Sequence, residues 1–382
     1  MQTRGLVGKT VIGLATAGLA GAMIGGAPAG AETTAGGTWT VVASPNLGGL
    51  RSVATTSASD AWAVGSYYST TKRHYTLSEH WNGTAWTQVP TPSPGRANPG
   101  DILYGVAATS ADDAWAVGAR EAGDSVLQRT LIEHWDGTAW AVIPSPNPGG
   151  YDSLYGVAAT SADDAWAVGS NGKDTLVEHW NGTSWVHVPS PTPAKDVAAG
   201  LDGVTATSAT DVWAVGLYYT APGSNGMQTL IEHWNGTTWT RVPSPSPGDG
   251  YRYLAAVAAT SATNAWAVGS YQTGRGSQLA HKNLIEHWNG TAWKMVPSPD
   301  PSLTVNLLAG VAATAARNAW AVGTDNAQTV LLQWNGTAWT QIPSPNPGST
   351  NALTSVAASS ATNAWAVGTG SPLAQSITIH CC

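Results

Sequence analysis

A glutamate and a histidine recur side by side in this chain, and both residue types can transfer protons or bind metal ions. The pairs, each followed by tryptophan, are Glu79-His80, Glu133-His134, Glu178-His179, Glu232-His233 and Glu286-His287. Two later copies carry Leu332-Gln333 and Ile379-His380 at the same place. Neighbouring side chains of a β-strand point to opposite faces, so a Glu and its His cannot easily act on one substrate atom. We therefore interpret the pairs as hydrogen-bonding groups that join neighbouring repeats.

Other chemical motifs are missing from the sequence. It contains no nucleophile elbow, no Gly-rich phosphate loop and no H-E-x-x-H zinc motif. The only cysteines, Cys381 and Cys382, are adjacent, so they offer no disulfide framework and no thiolate metal site. The sequence predicts neither a cofactor nor a bound metal.

An internal repeat is the strongest pattern in the sequence. The phrase Ala-Trp-Ala-Val-Gly, or a close variant, recurs at intervals of roughly fifty residues, the length of a four-stranded propeller blade. Its seven tryptophans are Trp62, Trp115, Trp166, Trp213, Trp266, Trp320 and Trp365. In the second copy the strands are predicted at 103–108 (A), 114–118 (B), 130–135 (C) and 139–143 (D). An Asp or Asn precedes each Trp and is expected to set the A–B turn, and Asn-Gly or Asp-Gly is expected to form a two-residue C–D hairpin.

The two ends of the repeat region complement each other. Residues 38–46 match strand D of the other copies, whereas the chain stops after strand C of the seventh copy. The pattern predicts an all-β, seven-bladed β-propeller of four-stranded antiparallel blades, in which the N-terminal strand completes blade seven and no sheet edge is left at the ends. An open array of repeats is the alternative. The expected blades are 50–95, 103–149, 154–193, 201–248, 254–301, 308–348, and 353–382 with 38–46.

The blade phrase resembles repeats of known bacterial propellers. Asp-Ala-Trp-Ala-Val-Gly followed by Trp-Asn-Gly-Thr-Ala-Trp is similar to elements of neuraminidase-type and photosystem-assembly-type propeller repeats, and to Kelch blades with their paired aromatic residues. The likeness covers residues 38–382 and implies the propeller fold of a secreted bacterial protein. It implies little about activity, because propellers have many functions.

The first 31 residues have the features of a secretory signal peptide. Arg4 and Lys9 precede an apolar stretch rich in Ala and Gly, and Ala29-Gly30-Ala31 would precede cleavage. The mature chain, 32–382, would be secreted or held at the cell surface without a membrane span. Without Arg4 and Lys9, 14 of the 16 basic residues remain against 23 acidic ones, a net charge of −9. This charge argues against nucleic acid as a partner.

Variation between the copies predicts a functional face. The A–B and C–D turns hardly differ between copies (the turn face), whereas the B–C and D–A loops do (the loop face), and such variation is typical of a binding face. All 11 tyrosines fall on or beside these loops, as do most Lys and Arg residues, while Trp stays in the repeated scaffold. Tyr and Arg are enriched in binding hot spots. The candidate ligand-binding residues are Tyr104, Tyr151, Tyr155, Tyr218, Tyr219, Tyr251, Arg252 and Tyr253.

Three functions fit these patterns. The first is a monomeric, non-catalytic recognition propeller that binds a protein or a glycan on its loop face. The second is a glycosidase or lyase, whose paired carboxylates would come from Asp101, Asp152, Asp196 and Asp249 in the D–A loops. The third is a structural surface protein whose loops vary without consequence. The sequence favours the first and identifies no catalytic residue.

Overall fold

The chain folds into seven four-stranded antiparallel sheets, as seen in a computed structural model that describes residues 37–45, 47–69, 73–95, 100–121, 127–193, 197–221, 226–371 and 375–381. The segment predicted to be a signal peptide, 1–31, lies outside the described residues. Among the described residues the helical content is one short turn, Gly276–Gln278, and no helix there is long and apolar enough to span a bilayer.

The strands follow the repeat. Blades one to three contain β2 Gly49–Ser57, β3 Asp60–Tyr68, β4 His74–Trp81 and β5 Trp86–Gln88; β6 Ile102–Ser110, β7 Asp113–Glu121, β8 Gln128–Trp135 and β9 Trp140–Val142; β10 Ser153–Ser161, β11 Asp164–Ser170, β12 Thr175–Trp180 and β13 Trp185–His187. Blades four to six contain β14 Ala199–Ser208, β15 Asp211–Tyr219, β16 Met227–Trp234 and β17 Trp239–Arg241; β18 Arg252–Ser261, β19 Asn264–Thr273, β20 Ala280–Trp288 and β21 Trp293–Met295; β22 Asn306–Ala315, β23 Asn318–Asp325, β24 Gln328–Trp334 and β25 Trp339–Gln341.

Blade seven joins the two ends of the chain, as predicted. It contains β26 Asn351–Ser360, β27 Asn363–Gly370, β28 Gln375–Cys381 and, as its outer strand, β1 Trp39–Val41. Trp39 pairs with Cys381, and Val41 pairs with Ile379. The first strand of every sheet packs against the first strands of both neighbouring sheets, so these seven strands surround a central channel. The chain therefore forms a closed ring.

The 20 tryptophans are placed by the repeat in three sets. Seven on the second strands are 0–1% exposed, seven that begin the fourth strands are 4–5% exposed, and six that end the third strands are partly buried. Between blades one and two, the ring of Trp62 lies 4.8 Å from that of Trp135 and 5.1 Å from that of Trp140. Buried aromatic pairs of this kind stabilise the joint between sheets. In blade seven, Cys381 takes the place of the missing tryptophan, where it is buried and disulfide-bonded.

The C–D connection differs from the expected two-residue hairpin. In blade one, β4 ends at Trp81 and β5 begins at Trp86, so the loop has four residues, and Gly83 alone has positive φ. The side-chain oxygen of Asn82 accepts hydrogen bonds from the backbone N–H groups of Thr84 and Ala85. The asparagine side chain and a backbone hydrogen bond from the N–H of Asn82 to the carbonyl oxygen of Ala85 together hold the loop closed.

Candidate functional site

The recurring histidines belong to the scaffold within each blade. His80 Nε2 lies 2.7 Å from Asp60 Oδ1, and the other oxygen of Asp60 accepts a hydrogen bond from Thr56. Burial alone would raise the pKa of Asp60, but the hydrogen bonds from His80 and Thr56 outweigh it and lower that pKa. The Asp was expected to set the A–B turn; its side chain bonds Thr56 across that turn and, through His80, also ties strand C to it. Since the carboxylate lies between the other two groups, the histidine has no nucleophile to activate.

The recurring glutamates lie on the opposite side of the same strands and face the preceding blade. All five are fully buried, and Thr91, which follows blade one, donates a hydrogen bond to Glu133 of blade two. Burial raises the pKa of Glu133 to about 8 and that of Glu178 to about 9, so both are protonated at neutral pH. Glu133 thus makes the predicted hydrogen bond between repeats, whereas His80 bonds within its own blade. Neither side chain forms a surface acid/base pair.

Two aspartates of the D–A loops close those loops. Asp101 and Asp152 are fully buried and accept hydrogen bonds from the backbone N–H groups of Gly95 at 2.7 Å and Gly149 at 2.9 Å. Asn351 does the same for Gly348 in blade seven, which shows that the position needs an acceptor and not a negative charge. Of the other carboxylates considered for catalysis, Asp249 is exposed and Asp196 lies outside the described residues.

The loop-face end of the channel is formed by one irregularity that every blade repeats. Each first strand has a β-bulge directly after a buried leucine, and bulges re-aim side chains. The bulged residues are Arg51, Tyr104, Tyr155, Asp202, Ala255, Ala309 and Thr354, here called the bulge ring. Glycines follow several of them because the strands come close together; a Cβ on Gly105 would lie 3.0 Å from the carbonyl oxygen of Tyr155.

Side chains of the bulge ring meet from blade to blade. The guanidinium of Arg51 lies 5.1 Å from the ring centroid of Tyr104, which in turn is 5.4 Å from that of Tyr155 in an edge-on arrangement. Burial first, and then the charge of Asp202, raises the pKa of Tyr155. Burial and Asp202 also raise the pKa of Tyr253, against a hydrogen bond with Ser270. Arg51, Tyr104 and Tyr155 are thus in contact over blades one to three, and Asp202 acts on the pKa values of both Tyr155 and Tyr253. We call these five residues the polar arc.

The structure divides the tyrosines predicted from the sequence into two groups. Tyr104, Tyr155 and Tyr253 belong to the arc, whereas Tyr151 (43% exposed) and Tyr251 (37% exposed) lie in D–A loops and face solvent. The pKa of Tyr219 is raised by burial and then by nearby Tyr251, which places Tyr219 beside the second group.

Two other predicted residues already have partners inside the protein. Tyr218 accepts a hydrogen bond from Arg241 at 2.6 Å, and Arg241 belongs to the outer strand of that blade, away from the channel. Arg252 donates hydrogen bonds to the carbonyl oxygens of Pro247, Met227 and Gly248, which hold a D–A loop in place. The arc is therefore the better-organised part of the predicted site.

Arg51 and Asp202 are site residues that were not predicted from the sequence. Both follow the repeated leucine of strand A, the position that holds Tyr104 and Tyr155 in the second and third copies. Aligning that single position between copies would have identified them, because it varies strongly inside an otherwise uniform strand. Two depressions of about 350 and 170 Å³ lie elsewhere, beside Tyr271 and Met295 and at the closing strand near Val42.

Known proteins share this fold at low sequence identity. YCF48 bound to a D1 peptide matches with a TM-score of 0.57 and 12% identity over 90% of this chain and 96% of the other. YCF48 from Cyanidioschyzon merolae matches with 0.53 and 16% over 90% and 98%. A polysaccharide lyase of family PL25, an ulvan lyase bound to -[GlcA(1-4)Rha3S]-, matches with 0.55 and 11% over 90% and 93%. No family model and no curated protein matches the sequence. These likenesses show the fold alone.

Proposed function

We propose that this protein is a secreted, non-catalytic recognition propeller that binds a partner on its loop face, over the bulge ring. The observation that carries the proposal is the polar arc of Arg51, Tyr104, Tyr155, Asp202 and Tyr253. Arg51, Tyr104, Tyr155 and Asp202 break the sevenfold regularity of the bulge ring where the channel opens, and Tyr253 lies near Asp202. Regular positions serve the scaffold, so irregular Tyr and Arg side chains at an opening are best explained by a ligand.

Two considerations favour binding over the enzymatic alternative. A glycosidase needs two suitably spaced carboxylates, and the seven positions of the bulge ring contain one, Asp202. Asp101 and Asp152 are committed to closing loops. Among proteins of this fold, one is bound to a peptide and another is a lyase bound to a sulfated disaccharide unit, so both protein and glycan partners are compatible with a propeller.

The test uses the mature protein in a binding screen against secreted proteins and cell-wall glycans. A quadruple variant combines Tyr155→Phe and Tyr253→Phe, which retain buried ring packing, with Tyr151→Ala and Tyr251→Ala at exposed positions. Losing several hydroxyl hydrogen bonds and two contact rings should weaken binding by roughly tenfold or more. A control variant, Thr84→Ala with Thr138→Ala on the turn face, should bind as wild type does. Equal binding by the quadruple variant would refute the site.

A further inference from the structure

Among the described residues, Arg51 has no hydrogen-bond acceptor of its own, unlike Arg73 and Arg252. Within the part of the chain that the structure describes, its guanidinium lies over the ring of Tyr104 and has no ion pair and no hydrogen-bond acceptor. In contrast, Arg73 donates to the carbonyl oxygens of Ser93 and Gly95 and lies 3.8 Å from Asp101. A partly buried guanidinium with unused donors is suited to a carboxylate, which it can bind through two parallel hydrogen bonds.

The charged groups around Arg51 favour the binding of a single anion at its guanidinium. His74 is close enough that burial and the charge of Arg51 lower its pKa, which keeps the imidazole neutral near pH 7. The carboxylate of Asp202 lies farther round the ring, past Tyr104 and Tyr155. An incoming anion is therefore drawn to Arg51, on the blade-one side of the opening.

Space for the rest of the ligand lies on the remaining blades. The bulged positions of blades five to seven are Ala255, Ala309 and Thr354, whose small side chains leave the opening wider on that side. The Thr354 hydroxyl donates to the carbonyl oxygen of Leu50, so its side chain is held against blade one. A slender chain can enter beside these residues and place one acidic group on Arg51.

The aromatic rings of the arc favour a peptide over a sugar. Sugar rings commonly pack on open aromatic faces. Tyr104 and Tyr155 offer no such face, because each is 8% exposed and their rings meet edge-on. In addition, Arg51 covers one face of Tyr104. What the arc offers is hydroxyl groups and a cation, which are partners for peptide carbonyl and carboxylate oxygens.

We infer that Arg51 binds a carboxylate of an acidic peptide segment of the partner, with Tyr104 and Tyr155 beside it. This inference rests on the proposed function and specifies its ligand. The carboxylate could be a Glu or Asp side chain or a peptide C-terminus, since both present the same two oxygens.

The experiment measures fluorescence polarisation of labelled Gly-Ser peptides with the mature protein. One peptide carries an internal Glu and an amidated end, one an internal Gln and a free carboxylate, and one an internal Gln and an amidated end. At least one carboxylate peptide should bind tenfold or more tightly than the neutral one, as expected of a charge-assisted hydrogen bond. Arg51→Gln should abolish that preference and Arg51→Lys retain part of it. Arg317→Gln, on the turn face, is the matched control and should leave it unchanged.

The outcomes separate this inference from the proposed function. Equal or absent binding of all three peptides by the wild type, or an unchanged preference in Arg51→Gln, overturns the inference. Oligogalacturonate is the glycan probe, and its Arg51-dependent binding without any peptide binding also overturns it in favour of a uronate ligand. If the tyrosine variant loses its partner while Arg51→Gln keeps it, the recognition site stands and the acidic ligand does not.

Discussion

Replacing Glu178 by Gln tests the idea that the buried glutamate at the joint between blades two and three is a neutral acid. Glu178 is fully buried on β12, and burial, followed by the nearby charge of Asp152, raises its pKa to about 9 from 4.5. Between these two pH values the folded state holds a proton that the unfolded chain has released. The free energy of unfolding therefore falls as pH rises through this window.

The size of the effect follows from the proton linkage. One group in this window changes the free energy of unfolding by about 1.4 kcal/mol per pH unit. Glu178 should therefore lower the free energy of unfolding of the wild type by about 2 kcal/mol between pH 7 and 8.5. Gln has the shape of the protonated acid and cannot ionise, so Glu178→Gln should not show this loss. His287 and His380, whose pKa values burial lowers below 6.5, are largely neutral above pH 7 in both states and add little slope there.

The assay is denaturant unfolding followed by tryptophan fluorescence at several pH values from 7 to 8.5. The stability difference between Glu178→Gln and wild type should grow by about 2 kcal/mol across this range. Asp163→Asn, which removes an exposed carboxylate of the same blade, is the control and should run parallel to wild type. Parallel curves for Glu178→Gln would mean that Glu178 is already ionised in the folded protein, and would refute the reasoning.

Three further outcomes are expected. His179→Ala removes a 2.7 Å hydrogen bond to Asp164 and a ring stacked at 4.2 Å on Trp166, and should lower the free energy of unfolding by about 2 kcal/mol or more, whereas exposed His187→Ala should cost less than about 0.5 kcal/mol. Trp39→Ala should cost about 3–5 kcal/mol and favour release of the closing strand, detected as proteolysis at the N-terminus; the matched Trp140→Ala should cost as much without that cleavage. Mass spectrometry of the secreted protein should find a mature chain that begins at Glu32, and an intact N-terminus would contradict the signal peptide.

The architecture was predictable because the length of the repeat, the number of its copies and the unmatched N-terminal strand all indicate the same fold. The spacing of the tryptophans fixes the number of blades, and the unmatched strand at 38–46 fixes the closure. The local detail was harder to predict. The Asp or Asn before each Trp was expected to set the A–B turn, but the bond from Asp60 to His80 of strand C was not predicted, because these two residues come together only in the folded blade.

The candidate site was predictable only in part. Tyr104, Tyr155 and Tyr253 were predicted from residue type, but the grouping of Tyr104 and Tyr155 with Arg51 and Asp202 depends on a β-bulge in each of their strands. A bulge changes which face a residue occupies, and simple alternation along a strand cannot show it. Arg252 was also predicted from residue type as a ligand-binding residue. In the folded loop, however, its guanidinium donates to the carbonyl oxygens of Pro247 and Met227.

A hydrogen–deuterium exchange footprint of the protein with a bound partner tests most directly whether the partner binds on the loop face. Binding over the bulge ring should slow exchange in the D–A loops and in the first residues of β2, β6 and β10. The Asn-Gly turns of the turn face, such as residues 82–85, should stay unchanged. Protection confined to the turn face, or to the outer strands, would contradict the account.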